Sequence, residues 1–294
     1  MGLRRIYLHI HRHAPISGRC SLVTTSISPA EARGRTREEF AERLLNGSTK
    51  KSYEPAVDID WDAPLDPDKF FLPPQMVTLY GTPEWDALSR GQQRELSRQQ
   101  LVNMLSAGIW FENILNQALL RSIMHTNPTS RSTHYMLTEL GDETRHMVMF
   151  GKAIDRVGGI PVRPRLYQRI IINTLPFTFR GPVLWIAALV GEEIFDALQR
   201  QILDDPDLQP IVRRLMRVHV TEEARHIQFA RDGLRKRTPT MRRLPKFFVA
   251  NINGVGGYFF RFLFTNKVQY HRVGLDARKA RRLARSSAHR HEIH

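Results

Sequence analysis

Two five-residue stretches, Asp142-Glu143-Thr144-Arg145-His146 and Glu222-Glu223-Ala224-Arg225-His226, each place a Glu three residues before a His in separate helix-forming regions. Residues i and i+3 of an α-helix share one face, so Glu143 with His146, and Glu223 with His226, can each reach a common ion. Each pair is half of a metal site. Two halves in one chain suggest a binuclear centre. One pair alone would carry little weight, because Glu and His are common on helix surfaces and His fills 12 of the 294 positions.

The other carboxylates strengthen the reading. Carboxylate-bridged di-iron bundles take one Glu from each of two helices and a Glu-x-x-His from each of two others. Glu112 lies in the apolar stretch Leu105 to Leu115, ahead of the first pair, and Glu192 or Glu193 follows Trp185 to Gly191, where a third helix is needed. A buried carboxylate with no partner costs several kcal/mol, so these groups must be protonated, hydrogen-bonded, solvent-facing or metal-bound. His219 precedes Glu223 by four and His226 by seven, which adds a third candidate ligand to that helical stripe. Within the pentads, Asp142 with Arg145 and Glu222 with Arg225 read as ordinary i,i+3 ion pairs in preference to a role in orienting ligands.

With these residues the chain resembles the p-aminobenzoate N-oxygenase (AurF-like) family of non-haem di-iron oxygenases. Phe111-Glu112-Asn113 is similar to the family's first ligand helix, Asp142 to His146 to its second, Val190-Gly191-Glu192 to its third and His219 to His226 to its fourth. The supplementary His one turn ahead of the last Glu separates this pattern from that of ferritins and acyl-carrier-protein desaturases. The resemblance, over roughly residues 95 to 235, implies Glu112, Glu143, His146, Glu192, His219, Glu223 and His226 as metal ligands, and favours Glu192 over Glu193. It implies two iron ions, O2 as co-substrate, and oxygenation of a small organic substrate such as an aryl amine. Electrons must come from an external donor, because the sequence has no Rossmann glycine fingerprint and no cysteine cluster for an internal relay. Other readings are a different ferritin-like activity, acyl desaturation or iron oxidation and storage, or a basic interaction protein with an incidental metal motif.

The expected fold is all-α: a ferritin-like di-iron helical bundle with extra C-terminal helices and an irregular N-terminal arm. Helices are predicted over roughly 87–124, 129–157, 182–203 and 208–235, with another around 245–265; breakers fall at Asn127-Pro128, Gly158-Gly159, Pro161, Pro164, Gly181-Pro182 and Asp205-Pro206. Residues 1–36 mix Arg, His, Ser and Pro without a hydrophobic period and read as disordered or as a leader. Residues 37–86, rich in Asp and Pro from Tyr53 to Pro74, read as an extended surface arm, without the glycine and terminal Glu of a calcium loop. The bundle domain is placed at 87–270 and a basic tail at 271–294, whose His289, His291 and His294 read as a frayed end.

A formal charge of +15 admits nucleic acid, an anionic membrane or an acidic protein as partner. The basic groups, Arg231 to Lys246 and Arg278 to Arg290, come without any nucleic-acid motif. An acidic electron-transfer or carrier protein is the expected partner, with a homodimer as a further expectation. The longest apolar stretch, Phe247 to Phe264, is broken by Asn251, Asn253, three glycines and Arg261, so no transmembrane helix is expected. With a single cysteine, Cys20, no internal disulfide can form, and a cytoplasmic location is expected.

Overall fold

The computed structural model describes residues 29–179, 181–237 and 266–286, and among them every regular element is helical. Four long helices carry the pentads and their partners: α4 (Arg90–Ile123), α5 (Arg131–Arg156), α7 (Pro182–Arg200) and α8 (Pro210–Arg237). Ser89 and Gln92 form a capping box that starts α4, and the Ser130 hydroxyl accepts from the Thr133 amide to start α5. Pro182 at the first turn starts α7 after Gly181, whose positive φ of 54° turns the chain. The turn 124–130 joins α4 to α5 and the turn 201–209 joins α7 to α8, giving two helical hairpins that meet through α5 against α8 and α4 against α7.

The packing is layered along the helices. Leu101, Leu105, Met149, Phe150, Phe195, Leu215 and Met216 fill one apolar layer, and Leu115, Leu119, Tyr135, Met136, Leu184, Trp185 and Phe229 fill another. On α4 the layers are separated by Glu112, on α5 by Glu143 and His146, and on α8 by His219 to His226. Charged side chains are thus held in one slab between two dry ones, where a low dielectric strengthens every electrostatic interaction.

Three expectations need correction. Residues 29–50 form a helix, α1 (Pro29–Lys50), where a disordered segment and the start of an extended arm were expected. Its composition is polar, but Phe40, Ala41, Leu44 and Leu45 fall on one stripe at helical spacing, and that stripe packs on α5 and α8. The following segment, 51–89, holds only short turns, namely α2 (Pro55–Asp58), a 3-10 turn (Pro74–Met76) and α3 (Pro83–Asp86). It is nevertheless no surface strap, since Ile59, Phe70, Phe71, Leu72, Leu79 and Trp85 are core residues. Buried Gln209 pins it to the α7–α8 turn: its Nε2 donates to the carbonyls of Asp66 and Lys69, and its Oε1 accepts from the Asp66 amide.

A further helix, α6 (Leu166–Thr178), lies against α4 in a region from which Pro161 and Pro164 had seemed to exclude helix. Both prolines precede its first turn. Beyond the bundle, α9 (Lys267–His271) and α10 (Ala277–Ser286) continue the body into the expected basic tail, with Ala280 and Ala284 buried. The leader at 1–28, the helix around 245–265 and the terminal histidines lie outside the described residues.

Candidate metal centre

All seven side chains singled out in the sequence converge in the polar slab, and each is buried, from Glu143 and His146 with no exposure to Glu112 at 3%. Helix α4 supplies Glu112, α5 supplies Glu143 and His146, α7 supplies Glu192, and α8 supplies His219, Glu223 and His226. Rotation of α7 separates its two adjacent acids. Glu192 points inward, whereas Glu193 faces solvent and pairs with Arg231 at 2.9 Å.

Glu143 and Glu223 each address both imidazoles of the pentads. Glu143 Oε2 lies 2.9 Å from His146 Nδ1 and its Oε1 lies 2.7 Å from His226 Nδ1; Glu223 Oε1 and Oε2 lie 3.4 and 3.5 Å from the same two nitrogens. Around them the donors fall into overlapping groups whose ligand atoms lie within 4.8 Å of one another: Glu112, His146, His219 and Glu223; Glu143, Glu223 and His226; and Glu139, Glu143 and Glu192. Several buried atoms have no hydrogen-bond partner, including Glu112 Oε2, both oxygens of Glu192 and Glu223, and both ring nitrogens of His219. Orphaned donors and acceptors this deep are rare in proteins and costly. A set of carboxylate oxygens and imidazole nitrogens converging on common points is what a pair of divalent cations needs.

A second ring of charge surrounds the first. His146 Nε2 donates to Glu222 Oε2 at 2.9 Å, and His226 Nε2 donates to Asp142 Oδ2 at 3.2 Å. The leading acid of each pentad therefore grips the His of the other pentad, across the α5–α8 interface. The expected ion pair of Asp142 with Arg145 is present, and Arg225 lies 3.8 Å from Glu222 and 3.6 Å from Asp142. The ion-pair reading of these acids holds, and each also accepts from the Nε2 of the opposite helix's histidine, turning its Nδ1 toward the cluster. Sequence alone could not show this, because the partner His lies 84 residues from Asp142 and 76 from Glu222. The arm joins the same ring: the Tyr53 amide donates to Glu222 Oε1 and Arg225 Nη1 donates to the Lys51 carbonyl.

The metal-free protonation pattern reflects crowded negative charge. Burial, reinforced by Glu143 and Glu223, pushes the Glu112 carboxyl well above its ordinary value, and burial with Glu223 and Glu139 does the same to Glu192. Burial would lower His146 and His226. Hydrogen bonds to Glu143, Glu222 and Glu223 for His146, and the Glu143 and Glu223 charges for His226, outweigh it and hold both well above the usual imidazole range. His219, buried and next to the His146 charge, is lowered to about 4 and stays neutral, ready to donate a lone pair.

Two glycines set the helix spacing. A Cβ on Gly191 would lie 1.7 Å from the Phe111 ring, so α4 and α7 cross with that ring laid on bare backbone, beside Glu112 and Glu192. A Cβ on Gly108 would meet the Phe150 ring at 2.9 Å, and that ring packs 4.9 Å from the His219 ring.

Residues 34–294 match the family described as P-aminobenzoate N-oxygenase AurF, which covers most of the chain. The chain belongs to the AurF family. It is 34% identical over 224 residues to uncharacterized proteins of Mycobacterium tuberculosis strains CDC 1551 / Oshkosh and H37Rv and of Mycobacterium bovis. The match covers 72% of this chain and 64% of each relative. The AurF-family assignment agrees with the ordered donors on α4, α5, α7 and α8, and no described helix is long and apolar enough to cross a membrane.

Proposed function

We propose that this chain is an O2-dependent di-iron oxygenase acting on a small organic substrate, with N-oxygenation of an aryl amine as the reaction. The observation that carries the reading is the convergence of four carboxylates and three imidazoles, buried and short of hydrogen-bond partners, in a member of the AurF family. Glu112, Glu143, His146, Glu192, His219, Glu223 and His226 would hold the two ions, with Glu143 and Glu223 placed to serve both. Iron bound there would supply O2 activation and oxygen transfer.

The protein's own part is positional. Asp142 and Glu222 hold a proton on Nε2 of His226 and His146, so that Nδ1 is the nitrogen that would give up its proton to a metal. The apolar layers above and below hold these carboxylates in a low-dielectric slab. Insertion of one oxygen atom of O2 into a substrate reduces the other to water and consumes two electrons and two protons. These come from an external donor; the +15 charge of the chain favours an acidic one.

Anaerobic loading with Fe(II), metal analysis, and O2 addition with a panel of aryl amines test the reading. Two irons per chain and a hydroxylamine, nitroso or nitro product are expected. A chain that binds no iron pair, or a loaded, reduced chain that oxygenates none of the panel, would overturn it. Continued iron uptake and mineral formation beyond two per chain would favour storage instead.

A further inference from the structure

We propose that Glu139 is an eighth metal-facing side chain, completing the donor set of the ion beside His226. The inference rests on the di-iron reading and extends it to a residue that no spacing argument had singled out. The pentads are parts of a longer internal match: Glu139-x-x-Asp142-Glu143-x-Arg145-His146 on α5 against His219-x-x-Glu222-Glu223-x-Arg225-His226 on α8. Glu139 stands four residues before Glu143 as His219 stands four before Glu223, so each lies one turn upstream on the same helical face.

The geometry agrees with the repeat. Glu139, Glu143 and Glu192 each bring an oxygen within 4.8 Å of the others. Glu139 is 1% exposed and its Oε2 has no hydrogen-bond partner, while both oxygens of Glu192 are likewise orphaned. Three buried carboxylates drawn this close together, two of them carrying unpartnered oxygens, are reconciled by a cation among them.

Counting donors gives an independent reason. Glu143 and Glu223 address both imidazoles of the pentads, so they are common to both ions. Of the rest, Glu112, His146 and His219 gather in one group with Glu223, whereas His226 groups with the shared pair Glu143 and Glu223, and Glu192 with Glu143 and Glu139; assigning His226 and Glu192 to the second ion leaves it two donors of its own. Glu139 makes the division three and three. It also makes the two ions unlike, one with two imidazoles of its own and one with two carboxylates of its own. The oxygen-rich position suits the harder, more oxidised ion.

Wild type, E139Q and E139H loaded anaerobically with 57Fe(II), with circular dichroism as the folding control, test this by Mössbauer spectroscopy and iron titration. Wild type is expected to bind two irons with two distinct quadrupole doublets. E139Q should shift one doublet, leave the other in place and weaken one iron by about 10-fold or more. E139H, which puts an imidazole where α8 has His219, should keep both irons and bring the doublets closer together; it carries the same test if E139Q does not fold. Folded variants with both doublets and both affinities unchanged would remove Glu139 from the donor set while the di-iron reading stood. A wild type that binds no iron pair would instead overturn the reading beneath it.

Discussion

Asp142 and Glu222 illustrate how one residue can serve two partners. Each pairs with arginine and each accepts a hydrogen bond from an imidazole of the opposite helix. D142N and E222Q are expected to leave the fold intact and to weaken iron binding by about 10–100-fold, read by competition with a chelator. An unchanged affinity would show that the histidines are oriented without them. His219 acts more directly, and H219A should lower iron occupancy measured by metal analysis. Protonation gives a further check on the same groups. In the metal-free protein, Glu112, Glu192, His146 and His226 are all held above their ordinary values, so they retain protons that bound iron must displace. Iron affinity should therefore rise with pH, with proton release on binding visible in a weakly buffered titration. A pH-independent affinity would contradict that protonation pattern.

At the scale of elements, Gly191 decides how closely α7 approaches α4. G191A places a methyl inside the Phe111 ring position, and overpacking of this kind costs about 1–3 kcal/mol. Thermal unfolding should register that loss. Because Glu112 and Glu192 follow the two contact residues directly, iron occupancy should fall with it. Helix α1 is fastened to α5 by Glu38, whose carboxylate accepts from the Arg131 amide at 2.6 Å and from the Ser132 hydroxyl at 2.8 Å. Burial is the largest single influence and raises the Glu38 carboxyl, but the hydrogen bonds from Ser132 and Arg131, with the Arg37 charge, together outweigh it and hold it below its usual value of 4.5. A depressed carboxyl contributes stability above its unfolded value and loses it as pH falls through the folded one. E38Q should thus cost about 0.5–1 kcal/mol at neutral pH, a figure kept low for a largely solvated group, and the difference from wild type should shrink as pH falls below the ordinary carboxyl value of 4.5. A difference that persists in acid would mean that the charge is irrelevant.

Across the whole molecule, the charged slab is the region whose stability a bound metal would change most. Among the eight buried acidic and imidazole side chains, the crowded carboxylates Glu112 and Glu192 are pushed toward their neutral forms, and cations bound among them would relieve that crowding. Iron-loaded protein should unfold at a higher temperature than metal-free protein, by an amount equivalent to about 2.7 kcal/mol for each occupied site when free iron is 100 times its Kd. Equal melting temperatures would indicate that the slab is stable without ions.

Much of this architecture is local and was legible in the chain. The pairing of Glu143 with His146 and of Glu223 with His226 needs only the pitch of a helix, and the breakers at Asn127-Pro128 and Asp205-Pro206 are matters of backbone chemistry. The four bundle helices begin and end within three residues of their predicted bounds for the same reason. What the sequence left open depends on neighbours from far along the chain. The inward turn of Glu192 rather than Glu193 follows from how α7 rolls on α4 at Gly191. The crossed grip of Asp142 on His226 and Glu222 on His146 exists only where α5 meets α8, and α1 is a helix because distant faces cover its narrow apolar stripe. Pattern within a helix is written in the spacing of its own residues. The face that a helix presents is chosen by the elements it packs against.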